Sequence, residues 1–156
     1  MKKRALSLLV VFVAVLTAAT ELAWEKGFSA KLTGRQEVPS VKTKATGKVL
    51  FKLSRDKKEL HYKLMVRNIV DANAAHIHKG KKGESGPPLV NLFTGPKKEG
   101  KFSGKLAEGM ITEKDLSGDL QGKSVEDLVK LMKSGDTYVN VHTDAHPDGE
   151  IRGQLR

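Results

Sequence analysis

The chain has 156 residues, with 28 Lys and Arg against 18 Asp and Glu, and a formal net charge of +10. It contains no cysteine, which excludes disulfides, thiolate metal sites and a lipid-modified N-terminal cysteine. This length suits one domain with a short appendage.

The N-terminus has the order of a secretory signal peptide. Lys2, Lys3 and Arg4 precede an apolar run over residues 5–16, and small residues follow at 17–20. The run is shorter than the roughly 20 residues that a membrane-spanning helix needs. We therefore predict a signal peptide at residues 1–19, a secreted or cell-envelope location and no transmembrane span in the mature chain, with an uncleaved anchor as the alternative.

After this region, most segments alternate apolar and polar residues with a period of two. This period is typical of half-buried antiparallel strands. The segment at residues 60–66, for example, has Leu60, Tyr62 and Leu64 on one face and His61 and Lys63 on the other. Strands are predicted at residues 28–32, 47–53, 60–66, 74–78, 89–93, 102–111, 137–142 and 150–155.

One segment breaks the strand pattern with helical spacing. Apolar residues recur at Val125, Leu128, Val129 and Met132, and Ser124 is a suitable N-cap. Many short strands with one such helix predict an all-β, antiparallel, Greek-key-like sandwich or barrel with one short helix.

The first candidate site is the strand segment His76-Ile77-His78. Residues two apart in a strand project from the same face, so both imidazoles leave one side of the sheet. That spacing allows both rings to reach one ion at the usual metal–nitrogen distance of about 2.0–2.1 Å.

A second pair of histidines lies near the C-terminus. His142 ends a predicted strand and faces away from Val139 and Val141, and His146 follows in the next turn. We predict a metal site made of His76, His78, His142 and His146, with copper or zinc as the ion, because all-nitrogen ligation favours these metals over calcium. Affinity is expected to fall as pH drops through about 6.5. The alternative is that the imidazoles only form hydrogen bonds at the end of a sheet.

Other binding chemistry has less support. The glycine spacing of residues 80–86 does not match a nucleotide-binding loop. The basic residues lack the interleaved aromatic side chains of single-stranded nucleic-acid surfaces, so no nucleic-acid partner is expected. Basic loops at residues 79–82 and 97–101 instead favour anionic envelope polymers or lipid head groups as partners, in a module that needs no metal.

Six segments occur along the chain in a characteristic order: Leu32–Gly34, Glu37–Pro39, Ala75–Gly80, Gly83–Pro87, Tyr138–Thr143 and Pro147–Leu155. Together they resemble the CHRD domain, which was named from chordin and is widespread in exported bacterial and archaeal proteins. The resemblance covers residues 27–156, and its two long segments are specific to that domain. It implies an extracellular β-rich module without a settled biochemical activity. By resemblance, His76, His78 and His142 lie on the motif positions, whereas His146 stands where the motif more often has Asn.

The placement of the histidines is also similar to that in copper–zinc superoxide dismutases. Those enzymes place a His-x-His strand pair and a late-strand His around copper on the outside of a Greek-key barrel. This chain departs from them because it has no cysteine for the dismutase disulfide and no recognisable zinc loop. A copper enzyme of this type is therefore a second alternative.

Overall fold

A computed structural model of the protein describes residues 27–156. The predicted signal peptide at residues 1–19 lies outside the described residues. The elements in chain order are β1 (Phe28–Thr33), β2 (Thr46–Leu53), β3 (Leu60–Lys79), β4 (Pro88–Phe93), β5 (Lys98–Ile111), α1 (Val125–Ser134), β6 (Thr137–Thr143) and β7 (Ile151–Gln154).

Five of the strands close into a barrel. The order is β1–β2–β3–β6–β7, and β7 pairs again with β1. β5 pairs with the first half of β3 on the edge opposite β2, and β4 pairs with its second half on the edge opposite β6. Every pairing between these strands is antiparallel, so the prediction of an all-β, antiparallel barrel with one short helix is confirmed.

The long strand β3 joins the two halves of the molecule. Its first half pairs with β2 and β5, and its second half pairs with β6 and β4. The sequence pattern predicts two separate strands here, at residues 60–66 and 74–78. The reason for the difference is local: Asn68 and Asp71 have left-handed φ angles of 54° and 52°, and the register with β5 shifts around them. These irregularities interrupt the two-residue period without ending the strand.

The barrel interior is filled by the apolar positions of the alternating strands. Examples are Leu32, Val49, Leu64, Ile77 and Val139, all fully buried. Because successive side chains of a strand point to opposite faces, the polar neighbours of these residues lie on the outside of the barrel. The candidate site is therefore formed on the exterior face.

Helix α1 covers part of this core with the four apolar residues that predicted it. The Ser124 hydroxyl accepts a hydrogen bond from the Asp127 backbone N–H, a cap worth about 1 kcal/mol. Gly135 ends the helix with a left-handed φ of 76°, a conformation that glycine adopts without steric cost. Within residues 27–156, no helix has both the length and the apolar character needed to cross a membrane.

Candidate metal centre

The outer face of β3 presents the first two histidines. Ala75 and Ile77 are fully buried in the barrel, which places His76 and His78 on the opposite face. Their ring centroids are 5.5 Å apart. The two-residue period therefore predicted their common orientation correctly.

Strand β6 brings the third histidine to the same place. In the register of β3 and β6, Ala74 is opposite His142 and His76 is opposite Asn140, so His142 is the diagonal neighbour of His76. His76 Nδ1 lies 2.9 Å from His142 Nε2. One ligand atom each from His76, His78 and His142 lie within 4.8 Å of one another. Small side-chain rotations would bring all three to one ion, since two bonds of about 2.1 Å separate ligands by at most about 4.2 Å.

Backbone carbonyls fix the orientation of two of these rings. His78 Nδ1 lies 2.8 Å from the Gly86 carbonyl oxygen, and His142 Nδ1 lies 2.8 Å from the Pro147 carbonyl oxygen. A carbonyl only accepts hydrogen bonds, so each Nδ1 carries the proton and each Nε2 keeps its lone pair. Hydrogen bonds of this kind orient the ring and set the tautomer of metal-ligating histidines in general.

The two Nε2 atoms differ in what they contact. His142 Nε2 accepts a hydrogen bond from His76 Nδ1, which fixes His76 as the Nδ1–H tautomer in the metal-free protein. His78 Nε2 is buried and has no hydrogen-bond partner among the described residues. A buried acceptor without a partner is costly, and a bound ion would remove that cost.

Burial keeps all three imidazoles neutral. It lowers the pKa of His76 to about 4, with smaller contributions from the neighbouring His142 and His78. Burial also lowers the pKa of His78 and of His142, although the hydrogen bonds to the Gly86 and Pro147 carbonyls act in the opposite direction. Neutral imidazoles are the form that binds metal.

His146, the fourth predicted ligand, is not part of this three-histidine group. It is half-buried in the turn between β6 and β7, where its backbone N–H donates to the Thr143 carbonyl at 3.1 Å. The structure does not test His146 as a ligand, and the three-histidine group is complete without it. The nearby Glu150 carboxylate has other partners, because it accepts hydrogen bonds from the Thr43 and Thr143 hydroxyls.

An aromatic residue and a cation border the group on the barrel surface. The Tyr138 ring stacks on His78 with ring centroids 5.0 Å apart and planes 10° apart. The Arg152 guanidinium carbon lies 3.4 Å from the centre of the Tyr138 ring, and Arg152 donates a hydrogen bond to the Lys81 carbonyl. Arg152 is only 2% exposed, so a buried positive charge contacts the same Tyr138 ring that stacks on His78.

A buried carboxyl group accompanies that cation. Glu37 is 8% exposed, and its Oε1 has no hydrogen-bond partner among the described residues. Burial raises the pKa of Glu37 to about 7, although the charge of Arg152 acts to lower it. Sequence analysis did not single out Glu37, Asn140 or Arg152. Alternation along β6 places Asn140 on the face of His142, but no local pattern marks Glu37.

Comparison with known proteins gives the chain a family. The model of the CHRD domain matches residues 28–155. Chordin of Xenopus laevis is 29% identical over 132 residues, and chordin of Danio rerio is 30% identical over 132 residues; each alignment covers 80% of this chain. The chain spans 12% of the length of either chordin. No solved structure matches it. Because the family model covers nearly all of the described residues, the chain belongs to the CHRD-domain family.

Proposed function

We propose that this chain is an exported CHRD-domain protein that binds a copper or zinc ion through His76, His78 and His142. The observation that carries the proposal is the convergence of three neutral imidazoles. In two of them a backbone carbonyl holds Nδ1, and Nε2 is directed away from that carbonyl. If the histidines had only a structural role, each buried ring nitrogen would be expected to have a hydrogen-bond partner, and His78 Nε2 has none among the described residues.

Copper(II) is our first choice over zinc. Nitrogen ligands bind copper(II) most tightly among the first-row divalent ions. In the metal-free protein the 2.9 Å between His76 Nδ1 and His142 Nε2 is the length of the hydrogen bond between them, which a bound ion would replace. Binding through both atoms needs His76 to move its proton from Nδ1 to Nε2, which releases no net proton.

Three protein ligands leave a coordination position for water or a small anion. The open coordination position and the outward-facing His-x-His pair favour the second candidate, a copper enzyme of the superoxide dismutase type. Catalytic turnover of superoxide by the copper-loaded protein is the assay that separates this activity from simple metal binding. The metal-independent alternative, binding to anionic polymers or lipid head groups, depends on a different surface.

Titration of the metal-free protein with copper(II) tests the proposal. We expect one ion per chain by calorimetry, and an electron paramagnetic resonance spectrum with hyperfine coupling to several nitrogens, because all three ligands are imidazoles. Zinc should compete for the same site with lower affinity. Absence of binding, or a spectrum dominated by oxygen ligands, would contradict the proposal.

The pKa values of the ligands predict how binding depends on pH. Protons compete with the metal only below the pKa of a ligand, and burial lowers the pKa of all three histidines. Affinity should therefore hold through pH 6.5, the ordinary histidine value, and fall at lower pH. This prediction differs from the expectation from sequence alone, in which affinity falls already at about pH 6.5. A calorimetric titration repeated at several pH values checks it, and a midpoint at 6.5 would speak against buried ligands.

A further inference from the structure

A basic surface lies on the outside of β1, β2, β5 and the first half of β3, away from the histidines on the second half of β3. We call this surface the basic face. The register of the strands brings its outward positions together. Its cations, all exposed, are Lys31, Lys48, Lys52, Lys63, Arg67 and Lys105.

The charges on the basic face are poorly balanced. Lys31 is directly opposite Lys48, and like charges at opposite positions of two strands destabilise a sheet. Among the described residues that the register places on this face, Glu108 is the only carboxylate, and it pairs with Lys105. The arrangement therefore costs folding stability, and a negatively charged partner would offset that cost.

Apolar side chains are exposed at the centre of the same face. Leu50 is 40% exposed and Met65 is 38% exposed. Leu50 is opposite Lys63 and Met65 is opposite Lys48, so the two are diagonal neighbours, each beside a lysine. A polysaccharide chain would need only the positive charges, whereas a lipid surface offers both negative head groups and an apolar boundary for Leu50 and Met65.

A shallow depression of about 430 Å³ opens between these groups. Gly47 and Gly104, which have no side chains, lie in its lining, and Lys48, Met65 and Arg67 lie around them. The combination of two cations and an apolar side chain around an open depression matches a phospholipid: a phosphate beside Lys48 and Arg67, and the upper part of an acyl chain against Met65.

From this placement we propose that the basic face docks on the surface of an anionic phospholipid bilayer. The inference gives the metal-independent alternative a definite partner and a definite surface. It assigns the contact to the basic face rather than to the basic segments at residues 79–82 and 97–101. The second of these was predicted as a loop, but residues 98–101 form the start of β5. It does not depend on the metal site, so loss of lipid binding and loss of copper binding can be observed separately.

Sedimentation with lipid vesicles tests the proposal. The full chain is compared with the face variant Lys48→Gln/Lys63→Gln/Arg67→Gln, on vesicles of phosphatidylcholine alone and of phosphatidylcholine mixed with phosphatidylglycerol. Each basic residue at an anionic surface contributes about 1 kcal/mol, so the face variant should bind the mixed vesicles at least about tenfold more weakly. Binding of the full chain should also weaken as salt is added.

A loop variant, Lys81→Gln/Lys82→Gln/Lys97→Gln, has the same net charge as the face variant and is the matched control, because all three lysines lie outside the strands. All proteins carry the same N-terminal segment, so a difference between them reports on the substituted surface. We expect the loop variant to bind within about threefold of the original, because its lysines lie off the face. Equal losses in the two variants, or no loss in either, would overturn the assignment.

A last variant separates a bilayer from a polysaccharide. Leu50→Ser/Met65→Ser keeps every charge and should weaken binding to mixed vesicles severalfold while leaving binding to alginate, an acidic polysaccharide, unchanged. Binding to alginate without binding to mixed vesicles would overturn the bilayer proposal and assign the face to a polysaccharide. Copper titration and circular dichroism on the same variants show that the barrel is intact.

Discussion

The variant His142→Ala is expected to bind copper(II) at least about 100-fold more weakly than the original chain. Loss of a residue that only orients a ligand commonly costs 10- to 100-fold in metal affinity, so loss of a ligand should cost at least the upper end of that range. The substitution also removes the hydrogen bond from His76 Nδ1, which frees the His76 ring to rotate away from the site. Calorimetric titration of the two proteins at equal concentration measures the difference.

Two other histidines provide controls for this experiment. His61 lies on the first half of β3, where it forms an ion pair with Glu59, and His146 lies in the turn after β6. We expect His61→Ala and His146→Ala to change the copper affinity by less than about threefold, because the three-histidine group is complete without either residue. A loss for His146→Ala equal to that for His142→Ala would instead make His146 the fourth ligand.

A fold defect would also abolish binding, so the His142 variant needs a second measurement. The metal-free variant should still unfold in one cooperative thermal transition, at a somewhat lower temperature, because it loses the hydrogen bonds of His142 to His76 and to the Pro147 carbonyl but no part of the apolar core. His76→Ala should give the same loss of copper affinity by removing the other partner of this contact. Unchanged affinity in both variants would refute the proposed site.

The sequence predicted the fold well where one face of a strand is apolar and the other polar. The alternation at Phe28, Ala30 and Leu32 is the alternation of burial in β1, and the cap residues of α1 are those that the structure uses. The alternation could not predict that β3 is continuous. Asn68 and Asp71 have left-handed φ angles, which change the face of the sheet on which the following residues lie. Closure of the barrel also depends on pairings between strands that are distant in sequence, such as β1 with β7.

The candidate site was predictable to the extent that it follows from strand alternation. His76 and His78 share a face for that reason. The contact between His76 and His142, which joins the two predicted histidine pairs, depends instead on the register of β3 and β6. The carbonyl anchors at Gly86 and Pro147 lie in loops, where no periodicity constrains the backbone. The same holds for Glu37, which lies in the loop after β1 with its Oε1 beside Gly149.

Glu37 leads to the second large expected effect: Glu37→Gln should stabilise the protein at alkaline pH and leave it unchanged at acidic pH. The pKa of Glu37 is raised from 4.5 to about 7, so ionisation is less favourable in the folded than in the unfolded chain. The folded chain has its full stability below pH 4.5, where the Glu37 carboxyl is neutral. Part of this stability is lost as pH rises through about 7, because the buried carboxyl then ionises. Glutamine cannot ionise, so at alkaline pH the variant should keep up to about 3 kcal/mol of the free energy of unfolding that the original chain loses.

Equilibrium unfolding in urea at about pH 4 and about pH 8 measures this difference, and titration of the histidines cancels because both proteins contain them.

The competing possibility is that the Glu37 carboxylate stabilises the buried Arg152 charge, since removal of one partner of a buried ion pair commonly costs 3–5 kcal/mol. Arg152 keeps two other partners in the variant, the Tyr138 ring and the Lys81 carbonyl. For that reason we expect the cost of burying the carboxylate to exceed its attraction to Arg152. A variant that is less stable at pH 8 would show the opposite balance and make the attraction between the Glu37 carboxylate and Arg152 a structural requirement of this face of the barrel.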